Sequence, residues 1–245
     1  MAKEREESPA RIALVTGAGS GIGRAVAALL ACEGYCVALV GRTEAKLLET
    51  ARQIESGGAA REALVVAADL AKEDEACGAA DRVLDRWGRL DVLVNNAGWG
   101  WLKPIVETTP GFLRTTFEFN FFSAAHLILR AWPVFLRQKS GCVVNVSSGA
   151  AHDPFPGFFA YAASKAAMES LCRSIANEKG AEGIRAYSVA PGAVETPLLR
   201  SVFSEKEFPR SMTLDPLDVA RRILDCIRGT AGVPNGGTVL VKSPG

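Results

Sequence analysis

Several shortages limit what this 245-residue chain is able to be. Histidine occurs only twice, too rarely to complete a zinc set. The six cysteines, Cys32, Cys36, Cys77, Cys142, Cys172 and Cys226, contain no C-x-x-C pair. They read as small buried thiols in a reducing compartment, and no metal is expected. Neither sign of charge is in surplus, since 28 Lys+Arg against 27 Asp+Glu leave a formal net charge of +1. The clustered basic face of a nucleic-acid binder is missing. No uninterrupted apolar run reaches roughly 18 residues, so no membrane span is expected. The opening MAKEREESPA lacks the apolar stretch of a signal peptide. A cytoplasmic, soluble protein with a disordered tail over residues 1–10 is the expectation.

What the chain does have is 48% hydrophobic residues, ample for a large core, distributed in a regular order. Short continuous apolar runs alternate with segments of helical period. The runs RIALVTG, YCVALVG, EALVVAAD, DVLVNNAG, CVVNVSS, GIRAYSVAPG and GGTVLVK read as strands buried on both faces. Helices are expected from the glycine loop to Gly34, over TEAKLLETARQIES with Thr43 as N-cap, over Lys72–Trp87, over about Pro110–Gln138 with a kink at Pro133, over Phe159–Lys179, and over DPLDVARRILDCIRG. No linker or repeat breaks this order. The expectation is one α/β domain over 1–245, with a doubly wound, mostly parallel, seven-stranded Rossmann-type sheet and helices on both faces. Ligands in such sheets bind beyond the carboxyl ends of the strands. Every chemically suggestive stretch follows a strand and falls on that rim.

The first such stretch is TGAGSGIG, residues 16–23. It misses G-x-G-x-x-G in either register but fits T-G-x-x-x-G-x-G through Gly17, Gly21 and Gly23. Gly17 would make the tight turn, Gly21 would admit a pyrophosphate to the backbone, and Gly23 would bring helix and strand together. The helix start then faces the phosphates with free N–H groups and partial positive charge. A second stretch, YAASK, places Tyr161 and Lys165 one turn apart on a helix. A tyrosine is a poor acid or base at its ordinary pKa of about 10. A neighbouring ammonium is expected to lower it and make the pair a general acid/base near neutral pH.

With these motifs in this order, the chain resembles the short-chain dehydrogenase/reductase family in its compact form of about 250 residues. The resemblance implies the remaining roles. Ser148, thirteen positions before Tyr161, corresponds to the serine that polarises the substrate carbonyl, with Ser147 the alternative. Asn120, in FEFNFFS, corresponds to the asparagine that holds a water near the lysine and continues a proton relay. Lys165 binds the ribose hydroxyls and tunes Tyr161. NNAG (95–98) steadies the central sheet, with Asn95 near the adenosine ribose and Asn96, Ala97 and Gly98 at the cofactor. Asp69, with Leu70, corresponds to the acid beside the adenine. In PGAVETP (191–197), Pro191 and Gly192 pass beneath the nicotinamide while Val194 and Thr196 meet its carboxamide. Gly19, Ser20 and Ile22 complete the phosphate loop. The chain departs from the family after its last strand, where VLVKSPG replaces the usual ending that builds tetramer contacts.

NAD-preferring members of the family carry an acid where this chain has Gly41. Gly41 removes the repulsion of a 2′-phosphate, while Arg42 and Thr43 offer attraction. NADP(H) is therefore expected over NAD, although Arg42 also reads as an ordinary solvated charge, and Ser20 stands where some NADP-preferring members have a base. The aromatic and aliphatic residues Trp99, Trp101, Leu102, Phe155, Phe158, Phe203 and Phe208 suggest an apolar carbonyl substrate, or else core and subunit contacts. His152 and Asp153 read as turn residues, or else as contacts to a polar group of the substrate, and segment 193–213 as a substrate lid. The function implied is an NADP(H)-dependent carbonyl or 3-oxoacyl-type reductase. The alternatives are a dinucleotide-sensing protein without turnover and an NAD-preferring alcohol dehydrogenase. Apolar outer faces on the helices carrying Asn120 and Tyr161 imply a homodimer or homotetramer.

Overall fold

Each apolar run forms a strand where the sequence places it. The computed structural model describes residues 10–58 and 62–244, so the expected tail falls outside the described residues except for Ala10. The strands are β1 (Arg11–Thr16), β2 (Tyr35–Gly41), β3 (Ala63–Ala67), β4 (Val92–Asn95), β5 (Gly141–Val146), β6 (Ile184–Pro191) and β7 (Thr238–Val241). They join in one sheet in the order β3-β2-β1-β4-β5-β6-β7, and every pairing is parallel. The order reverses between β1 and β4, so a crevice opens there at the carboxyl ends.

Both faces of the sheet are covered. The helices are α1 (Gly21–Cys32), α2 (Glu44–Ser56), α3 (Glu73–Trp87), α4 (Pro110–Phe117), α5 (Ser123–Gln138), α6 (Phe159–Lys179), α7 (Pro197–Val202) and α8 (Pro216–Arg228). Alternate residues of β1 serve opposite layers, as the period of a strand requires. Ala13 and Val15 pack with Val26, Leu30, Leu47 and Ile223 of α1, α2 and α8. Ile12 and Leu14 pack with Val83, Leu127, Phe135 and Ile175 of α3, α5 and α6.

Two local expectations are corrected, for the long helix and for Cys32. The helix from Pro110 to Gln138 is interrupted at a π-helical turn over Glu118–Phe122, centred on Asn120, well before Pro133 inside α5. By length and composition alone the 29-residue helical stretch would cross a membrane. In the fold Leu127, Ala131 and Phe135 spend its inner stripe on the core. Thr43 stands at the N-cap of α2 as expected, without a cap bond from its hydroxyl. Cys32 is exposed rather than buried. The segment 193–213 carries α7 and a 3-10 turn over Arg210–Met212.

Candidate active site

The glycine loop sits at the switch point and its shape depends on missing side chains. Gly17 and Gly21 adopt φ of +66° and +52°, in the left-handed region where other residues are strained. A Cβ on Gly23 would stand 2.3 Å from the Gly17 carbonyl oxygen, so only glycine lets α1 approach β1. Ser20, at the N-cap of α1, makes no side-chain cap bond. The rim of β4 is fastened to that of β1 beside the loop. Thr16 Oγ1 accepts from the backbone N–H of Asn96 and of Ala97, both at 2.9 Å, and Asn96 Nδ2 donates to the Thr16 carbonyl at 2.8 Å. Asn95 is not beside the cavity. It is buried and donates from Nδ2 to Asn145 Oδ1 of β5 at 2.9 Å, because residue 95 still belongs to the strand and its side chain is turned into the layer.

The end of β5 separates the two serines. Ser147 is buried, and its Oγ donates to Glu169 Oε1 at 2.7 Å. Ser148 lines the cavity, where its Oγ accepts from Ala150 N at 3.2 Å. Ser147 also lines the cavity, but its hydroxyl is already committed to Glu169 Oε1 and the Lys165 carbonyl, which leaves the Ser148 hydroxyl as the one available to a ligand. On α6, Tyr161 and Lys165 line the same cavity one turn apart. Lys165 is almost wholly buried, with its Nζ 5.8 Å from the Tyr161 ring centroid and donating to the Val146 carbonyl at 2.9 Å.

The electrostatics differ from the expectation. Burial pushes the Tyr161 phenol up, opposed by the Ser148 hydroxyl, and burial lowers Lys165 to about 8. Burial and the Ser148 hydroxyl, not Lys165, set the direction for Tyr161, and the lysine Nζ is turned to the Val146 carbonyl. In this structure the phenol is the proton-bearing form at neutral pH.

Asn120 lies outside the cavity wall and is fully buried. Its Nδ2 donates to the Trp99 carbonyl at 3.0 Å and to Ser164 Oγ at 2.9 Å, and its Oδ1 accepts from Trp99 N at 2.7 Å. Both amide hydrogens are thus spent on protein partners. A Cβ on Gly98 would lie 3.2 Å from Asn120 Oδ1 and from Lys165 Nζ alike, so the two side chains converge on one glycine.

These elements enclose a cavity of about 890 Å³, near the upper end for small-molecule sites. Gly17, Gly19, Ser20, Gly21 and Ile22 line it from the loop, while Gly23 acts from behind. Arg42 and Thr43 line it from the end of β2, Asp69 and Leu70 from beyond β3, and Asn96, Ala97 and Gly98 from β4. Pro191, Gly192, Val194 and Thr196 close it after β6. Of the apolar residues expected at the substrate, Trp99, Leu102, Phe155, Phe158, Phe203 and Phe208 line it. Trp101 does not, and its side chain is exposed.

Sequence reasoning missed Lys46, Phe119, Met212, Ser243 and Pro244, all in the lining, which Asp153 joins as well. Lys46 was discoverable, since it stands in the first turn of α2, which directly follows Arg42 and Thr43. Its Cβ is 2.9 Å from where a Cβ on Gly19 would be. Phe119 carries the Arg42 guanidinium 5.2 Å from its ring centroid. Ser243 and Pro244 return to the site only because β7 pairs with β6. The glycine cradle, the helix start and the polar rim fit a dinucleotide, and the loop, Arg42, Thr43, Asp69 and Lys165 are the groups that could hold it.

Comparison with known proteins agrees with this geometry. The sequence model of the short chain dehydrogenase family matches residues 11–207. A Streptomyces violaceoruber protein described as ketoacyl reductase 2 of the granaticin polyketide synthase is 36% identical over 245 residues, spanning 94% of each chain. A variant of actinorhodin polyketide ketoreductase solved with NADPH superposes with a TM-score of 0.88 at 28% identity, covering 95% of this chain and 96% of that one. A 7α-hydroxysteroid dehydrogenase solved with NADH and 7-oxo glycochenodeoxycholic acid gives 0.87 at 30%, covering 95% and 92%.

Proposed function

The chain belongs to the short-chain dehydrogenase family, as an oxidoreductase that uses a nicotinamide dinucleotide, and on that premise we propose that it is an NADP(H)-dependent carbonyl reductase for apolar ketones. The observation that carries this reading is the placement of Ser148, Tyr161 and Lys165 in one wall of the cavity, between the glycine loop and an apolar half. The substrate is read as bulky, apolar and uncharged, because Asp153 is the ionisable lining residue on the side of Phe155, Phe158, Phe203 and Met212.

When bound, the dinucleotide supplies or accepts the hydride at its nicotinamide ring. Ser148 donates a hydrogen bond to the substrate carbonyl oxygen and polarises it. Tyr161, kept protonated by burial, gives its O–H proton to that oxygen as the alcohol forms. Lys165 offers its ammonium to the ribose. Asn120 and Gly98 fix where Lys165 sits. Arg42, Thr43 and Lys46 are the groups offered to a 2′-phosphate. The segment 193–213, which brings Leu198, Phe203, Phe208 and Met212 to the cavity, is read as its lid. Exposed Phe122, Leu129 and Leu136 of the 110–138 helix and Phe159 of α6 support self-association as a homodimer or homotetramer.

The test is a panel of ketones with NADPH and with NADH. Oxidation of NADPH by bicyclic or aromatic ketones such as 1-tetralone, faster than with short aliphatic ones, is expected. Tight NADPH binding with no turnover on any ketone contradicts the reading and favours a dinucleotide sensor.

A further inference from the structure

One buried carboxylate has no part in the chemistry above. Glu169 lies one turn beyond Lys165 on α6, so Tyr161, Lys165 and Glu169 form a stripe along one helix face at i, i+4 and i+8. The side chain of Glu169 is only 5% exposed. A carboxylate so buried is costly unless donors surround it, and here they do. Oε1 accepts from Ser147 Oγ at 2.7 Å and from His152 Nε2 at 3.0 Å. Oε2 accepts from Thr238 Oγ1 of β7 at 3.3 Å and has Arg173 Nη1 at 4.0 Å.

The two donors to Oε1 come from either side of the catalytic serine. Ser147 precedes Ser148 and also stands 3.3 Å from the Lys165 carbonyl oxygen. His152 ends the 3-10 turn over Gly149–Ala151 that begins at Ser148. One oxygen of Glu169 thus grips the serine turn at both ends and ties it to the helix that carries Tyr161 and Lys165. We propose that Glu169 is a positioning residue that, through Ser147 and His152, sets the distance between the Ser148 hydroxyl and Tyr161.

The inference rests on Ser148 and Tyr161 being the reacting pair, so its test is built to separate the two. Replacement of Glu169 by Leu frees the turn, and kcat for 1-tetralone reduction should fall by about 10- to 100-fold. The dissociation constant for NADPH, read by fluorescence, should stay within about threefold of wild type. Glu169→Gln keeps an acceptor for Ser147 and His152 and should restore activity to within about threefold of wild type. In a Ser148→Ala background, Glu169→Leu should cost no more than about twofold further, because the residue acts through Ser148. Without any substrate, the ultraviolet titration of Tyr161, isolated by subtracting the Tyr161→Phe protein, should move to higher pH in Glu169→Leu, since Ser148 is the group that lowers it.

If Glu169→Leu fails to fold, Ser147→Ala and His152→Phe each remove one grip, and each should reduce kcat several-fold with NADPH binding intact. The inference is overturned by full activity in Glu169→Leu or in both single-grip variants. It is equally overturned by a loss that is fully additive with Ser148→Ala, or by a parallel loss of NADPH binding. An active Tyr161→Phe protein would instead overturn the reading of the site itself.

Discussion

Asn120 and the backbone of Trp99 form a closed two-bond ring: the side-chain oxygen accepts from Trp99 N–H at 2.7 Å and the amide donates to the Trp99 carbonyl at 3.0 Å. This ring explains the π-helical turn, because an unbroken α-helix would not hold the amide at the β4 rim. Asn120→Leu strands both Trp99 groups in a buried setting. The cost expected is about 3 kcal/mol, or a fall in Tm of roughly 10 °C. A thermal melt within 2–3 °C of wild type, on that same scale, contradicts the account.

The buried lysine makes stability depend on alkaline pH. Its folded pKa of about 8 lies below the ordinary 10.5. Between those values the unfolded chain holds a proton that the folded chain lacks, so stability rises with pH across that window and the penalty is constant below it. Lys165→Met removes the dependence. Urea unfolding should show the variant gaining up to about 3 kcal/mol relative to wild type at pH 7, with the gap shrinking by pH 10. A gap that does not change with pH contradicts it.

Two glycines should respond to alanine in opposite directions. Gly23→Ala places a methyl 2.3 Å from the Gly17 carbonyl oxygen, which should destabilise the fold by about 2 kcal/mol or more and weaken NADPH binding at least about tenfold. Gly78, inside α3, has no atom within 4 Å of a Cβ, and Gly78→Ala should stabilise by up to about 1 kcal/mol. Denaturant titration of the two variants reads the contrast.

Cofactor preference should be movable. A Cβ on Gly41 meets only Leu47 Cδ2 at 3.5 Å, an ordinary contact, so an acid fits there. Gly41→Asp with Arg42→Leu should shift the ratio of NADP to NAD dissociation constants by on the order of 100-fold towards NAD, about 2.7 kcal/mol. Lys46→Ala alone should weaken NADPH several-fold, most visibly at low salt. Fluorescence titration decides this, and an unmoved ratio contradicts the assignment of Gly41, Arg42 and Lys46.

The sheet was legible because strands buried on both faces are continuous apolar runs, and β1 to β7 carry little else. The glycine loop and the Tyr161–Lys165 spacing were legible because their chemistry is local in sequence. What escaped was settled by distant contacts. The π-helical turn at Asn120 depends on Trp99, twenty-one residues away. Lys46 reaches the site because Gly19 has no side chain. Ser243 and Pro244 reach it because β7 pairs with β6. The upward shift of the Tyr161 phenol follows from burial, which spacing cannot report. Asn95 was misplaced because neighbouring positions at a strand end point opposite ways.

The central claim, that Tyr161 transfers the proton in this cavity, is tested most directly by Tyr161→Phe. The account predicts that the variant melts with the wild type and binds NADPH within about threefold, while kcat/KM for 1-tetralone falls on the order of 1,000-fold. Turnover close to that of the wild type would contradict it.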